Sequence, residues 1–86
     1  MALQQGDIVK LSDLNTLNEA IINSDNITIQ NLWNNIYNIS NQSNLMDELE
    51  GLEQKYGIQI NENASLEDRL KALIDNPIIQ SKWTIL

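Results

Sequence analysis

From residue 13 to residue 76 the apolar positions recur at intervals of three and four, the spacing of one helix face. Leu14, Leu17, Ile21 and Ile22 follow this spacing up to the polar break Asn23-Ser24-Asp25-Asn26. With Ser12 as N-cap and Asp13 in the first turn, they predict a helix over about 13–23. Thr28 can cap a second helix, in which Ile29, Leu32, Trp33, Ile36 and Ile39 fall at i, i+3, i+4, i+7 and i+10. The opposite face carries Asn31, Asn34, Asn35 and Asn38, and asparagine is a mediocre helix former, so this helix depends on what its apolar stripe packs against.

Beyond the loop at 40–44, Ser43 or Asn44 can cap a third helix with Leu45, Leu49, Leu52 and Tyr56 on one face, stopped by Gly57 in the left-handed conformation. Ile58-Gln59-Ile60 alternates as a short strand does. Ser65 and Asp68 then form an Asp version of the capping box that opens a fourth helix faced by Leu66, Leu70, Leu73 and Ile74. Asn76-Pro77 ends it, because the proline ring clashes with the preceding turn.

The two ends have a different pattern. Gly6-Asp7-Ile8-Val9-Lys10-Leu11 is a turn followed by a short apolar alternation, which predicts an extended arm or short strand over 1–11. Ile79, Trp83 and Ile85 fall on one side of a period-two tail, which predicts a strand or docking arm over 77–86. No fixed-period repeat and no Gly/Ser linker divides the chain. The expectation is a mainly α protein, a single small domain over 1–86 with about four short helices, an extended N-terminal arm, a helical body over 12–76 and a C-terminal strand or arm.

Composition narrows the chemistry. The 86 residues include no histidine and no cysteine, which removes Ser/His and Cys/His nucleophile pairs, zinc fingers and thiol redox chemistry. A domain this small, with no disulfide to staple it, gains from burial against partner chains. The net charge of −7 lacks the concentrated basic face that nucleic acid requires, and Lys10, Lys55, Arg69, Lys71 and Lys82 are too scattered for a polybasic membrane patch. The N-terminus lacks the basic and apolar regions of a signal peptide, and no apolar run reaches the roughly 20 residues of a membrane span. A cytosolic product is therefore expected. Asn and Ile each occur 13 times, a bias that an AT-rich coding sequence produces. It also accounts for the four Asn-x-Ser/Thr triplets at Asn26, Asn38, Asn41 and Asn63 without invoking glycosylation.

Asp47, Glu48, Glu50 and Glu53 could bind Ca²⁺, mimic nucleic acid or pair for glycoside hydrolysis. EF-hand spacing is missing, however, and four aromatic residues hardly build a substrate cleft, so these acids read as a solvated helix face. No catalytic, metal-binding or cofactor-binding residue is expected. The Ile29/Leu32/Ile36/Ile39 stripe suits either an intramolecular core or an oligomer seam; Ile at both a-type and d-type positions favours trimers, but Ser43 interrupts the next heptad.

The run Gly6-Asp7-Ile8-Val9-Lys10-Leu11-Ser12-Asp13-Leu14-Asn15-Thr16-Leu17-Asn18-Glu19-Ala20-Ile21 resembles a segment near the start of bacteriophage tail, baseplate and tail-fibre proteins. In those proteins a Gly-Asp/Thr turn and short β segment lead into a Ser/Ala-Asp-Leu/Ile-Asn-x-Leu helix start. The resemblance implies a small non-enzymatic virion subunit that docks onto a larger assembly, is made in the bacterial cytoplasm and is assembled into the particle. A fibre shaft is not implied, since long heptads and Gly-rich β repeats are absent. The expected interaction residues are Ile8, Val9, Leu14, Leu17, Ile29, Leu32, Trp33, Ile36, Ile39, Ile79, Trp83 and Ile85, with further copies of the chain and other virion proteins as partners, and neither nucleic acid nor membrane. Size and acidity also fit an alternative, a small inhibitor of a host nucleic-acid enzyme acting as an anti-CRISPR-like DNA mimic.

Overall fold

A computed structural model describes residues 4, 6–39 and 42–83. In chain order it contains α1 (Leu11–Ile22), α2 (Asn26–Asn35), a 3₁₀ turn (Ile36–Asn38), α3 (Ser43–Lys55), α4 (Leu66–Asp75) and α5 (Pro77–Trp83). The chain is mainly helical, and the described residues contain no strand, only an isolated parallel bridge between Val9 and Ile39. Helix α1 sits centrally, packed against α2, α3 and α5, while α4 closes the body against α3, α5 and the 3₁₀ turn.

The helical spacing foretold most of the core. Leu14, Leu17 and Ile21 of α1, Ile29 and Leu32 of α2, Leu45 and Leu49 of α3, and Leu66, Leu70, Leu73 and Ile74 of α4 are all buried, with Val9, Ile36 and Ile79 filling the same cluster. Each such side chain contributes about 1.5–3 kcal/mol on leaving water, which is what holds the asparagine-rich α2 in helical form. The stripe read as core or seam is therefore spent inside the monomer. It also does not run on as one helix: α2 stops at Asn35, and Ile39 lies in extended backbone beside Val9.

Three N-caps differ from expectation. Ser12 lies within α1, and the N-cap position is Lys10, whose N–H donates to Asp13 Oδ2 at 2.8 Å. Thr28 is in the first turn of α2; Asp25 is the cap, accepting from the Thr28 N–H at 3.1 Å and the Thr28 hydroxyl at 2.7 Å. Helix α3 begins at Ser43 itself, after Gln42. In α1 and α2 a side chain inside the first turn, Asp13 or Thr28, receives or supplies the capping bond, so the visible Ser or Thr is displaced from the boundary. Ser65 is the N-cap of α4, accepting from Asp68 N–H at 3.1 Å. Gly57 has φ +68° and closes α3, with Ile58 N–H on Glu53 C=O at 2.8 Å and Gly57 N–H on Gln54 C=O at 3.2 Å.

Ile58-Gln59-Ile60 forms no strand, because the Ile58 amide is taken by the end of α3. The C-terminal strand expected over 77–86 is replaced by α5 as far as Trp83. Asn76-Pro77 ends α4 and starts α5 together: the Asn76 side chain accepts from Ile78 N–H at 2.9 Å, and proline at the first helical position gives up no bond that a helix would use. Ile79 and Trp83 are four residues apart, a separation that suits period two and one helix face equally, so the tail pattern was ambiguous.

Candidate functional site

The one buried ion pair among the described residues joins α3 to α4. Glu53 is 2% and Arg69 is 6% exposed, and Arg69 Nη2 donates to Glu53 Oε1. Glu53 therefore leaves the acidic group that was read as solvated. Its position was visible in the spacing: 45, 49, 52 and 53 form one arc of α3, and 66, 69, 70 and 73 form the facing arc of α4. A cleft of about 250 Å³ opens beside the pair, lined in part by Ile58, Asn61, Ala64 and Asp68. Arg69 Nε is sealed from solvent without a partner, so the cleft offers no free donor there. The acid and base neutralise one another, and the arrangement ties two helices together without supplying a proton donor and acceptor to a substrate.

A second polar device holds the N-terminal segment. Asn35, expected on the polar face of α2, is 1% exposed. Its Oδ1 accepts from Gly6 N–H at 2.8 Å and its Nδ2 donates to Asn31 C=O at 2.7 Å. Asn38 Nδ2 donates to Asp7 C=O at 3.3 Å, and Val9 inserts into the core beside Ile39. At the far end of α1, Asn18 Oδ1 accepts from both Lys55 Nζ and Tyr56 OH at 3.0 Å, and partial burial raises the Tyr56 pKa above its ordinary 10.0.

Of the residues expected to meet partners, Val9, Leu14, Leu17, Ile29, Leu32, Ile36 and Ile79 are buried in the monomer's own core. Trp33 and Ile39 are half-buried against it, and Ile8 is exposed. Trp83 is the last residue of α5, and Ile85 lies outside the described residues. Ile22, which the spacing put on the apolar face of the first helix, is exposed instead, and the surface also presents Ile27, Tyr37, Met46 and Ile78. They occupy helix ends and corners, where helical spacing carries no face information. Among the described residues no cluster of acids could hold a metal ion, and no helix is long and apolar enough to cross a membrane. The chain matches no protein-family model, no curated protein and no solved structure.

Proposed function

We propose that this chain is a small structural subunit of a bacteriophage or prophage-derived particle, a tail, baseplate or accessory component that works by packing against copies of itself and neighbouring subunits. The observation that supports the reading is the apolar surface of the α1–α2 corner, where Ile22 and Ile27 are 62% and 76% exposed. Single exposed apolar residues are ordinary, but two from one tight corner, with Ile8, Tyr37 and Met46 elsewhere, suit a protein made to be covered. The likeness of Gly6–Ile21 to phage tail and baseplate proteins supplies the kind of assembly.

The alternative, an acidic inhibitor of a nucleic-acid enzyme, draws on a separate observation: of the twelve acidic side chains only Glu53 is buried. One experiment separates the two. Particles induced from the producing host are purified on a density gradient and their proteins identified by mass spectrometry, while the purified chain is offered to a panel of basic nucleases at low and high salt. Recovery of the chain in stoichiometric amounts with particles supports the structural reading. Its absence from particles together with salt-sensitive nuclease capture overturns that reading in favour of the inhibitor.

A further inference from the structure

Gly51 sits in the interior of α3, on the exposed side of the helix, and a Cβ placed there would meet nothing within 4 Å. Glycine weakens a helix interior relative to alanine, and within this chain nothing is gained in return: neither a turn, nor a close approach of the chain to itself, nor a positive φ. A backbone bared in mid-helix is useful when another backbone comes close to it from outside. The residues one turn to each side, Asp47 and Lys55, are also exposed and of opposite charge. Positions 47, 51 and 55 are spaced i, i+4 and i+8 on one face, about 6 Å apart along the axis.

We propose that α3 is a self-pairing surface on which two copies of this chain cross antiparallel at Gly51. The partner is fixed by symmetry and charge. In a two-fold antiparallel pair centred on residue 51, position 47 faces position 55 of the other copy, and position 55 faces 47, so one interface forms the Asp47–Lys55 contact twice. In the monomer Lys55 Nζ donates to Asn18, which uses one of its three protons and leaves others for a carboxylate. A parallel pair would set Asp47 on Asp47 and lose this match. The seam of a 13-residue helix falls in the small, weak class of interfaces, so association is concentration-dependent and not obligate. The inference rests on the self-packing part of the reading above, and on nothing in it about particles.

The test is sedimentation velocity over a concentration series at fixed, near-physiological salt, with circular dichroism confirming that each variant is folded. The wild-type chain is expected to show reversible dimerisation, with Asp47→Lys and Lys55→Asp each weakening it roughly tenfold or more and the double exchange restoring it. The direction of the Asp47→Lys effect is diagnostic. It moves the net charge from −7 to −5 and relieves general repulsion between copies, so bulk electrostatics predicts stronger association where the seam predicts weaker. Gly51→Leu, which puts a better helix former at an open position, is expected to raise the melting temperature of the monomer while abolishing the dimer. A dimer indifferent to all four variants overturns this seam and leaves self-packing standing; a chain that stays monomeric at every concentration overturns both.

Discussion

Ser24 has φ +54°, in the left-handed region that glycine enters freely and other residues enter at a cost of about 1–2 kcal/mol. It is held there because it closes α1: Asp25 N–H bonds to Ala20 C=O at 2.8 Å and Ser24 N–H to Ile21 C=O at 3.3 Å, the same pair of bonds that Gly57 sets up behind α3. Replacing Ser24 by glycine is expected to stabilise the protein by about 0.5–1 kcal/mol, net of the extra freedom glycine gains when unfolded. Thermal denaturation would show a rise of a few degrees. The buried ion pair has the opposite sensitivity. Arg69→Met strands the Glu53 carboxylate and is expected to cost about 3–5 kcal/mol, a large part of a small domain's total stability, whereas Glu53→Leu with Arg69→Met should recover most of it. Urea titrations of the single and double variants measure both. The sequence displayed Glu53 and Arg69 on buried arcs, yet their charge argued for the surface. Side-chain type and spacing disagreed there, and spacing was the better guide.

At the scale of elements, Asp25 serves two helices, since its amide closes α1 and its carboxylate opens α2. The Thr28 hydroxyl first, and the Thr28 amide next, hold its carboxyl below the ordinary 3.8. The folded chain therefore releases this proton more readily than the unfolded chain. The carboxylate stabilises the fold at pH above the ordinary value, and that contribution is lost as pH falls through the lower, folded value. Melting temperatures of the wild type and Asp25→Asn are expected to differ at pH 6 and to converge toward pH 2; a gap that persists in acid would mean that the charge is immaterial to the cap. Helices α1 to α4 were legible because each shows several turns of one apolar face, and α4 also because Ser65 and Asp68 mark its start. Helix α5 was not legible, for a physical reason: its seven residues make two turns, and Asn-Pro can end one helix while beginning another.

Taken whole, the Cα framework measures 33 × 29 × 16 Å, a slab in which most helices have one face inward and one outward. That flatness is why the core was readable from the chain while the surface was not: periodicity identifies the inward face, but nothing in it ranks the outward positions. Gly51 and Ile27 were passed over for this reason, and Ile22 was placed on the inward face. The N-terminal segment joins the slab through contacts of long sequence separation, Gly6 to Asn35 and Asp7 to Asn38, with Val9 the one buried apolar side chain among its described residues before α1. A segment fastened by so few bonds opens at less free energy than global unfolding. In amide hydrogen exchange, the Gly6 and Val9 amides are expected to exchange orders of magnitude faster than those of Leu17, Leu49 and Leu70, and their rates should be little affected by moderate urea. Protection equal to that of α1 would mean that arm and body open together. The Asn35 clasp therefore acts as a latch with its own equilibrium, and each opening uncovers the Val9 socket beside Ile39 while the helices stay folded.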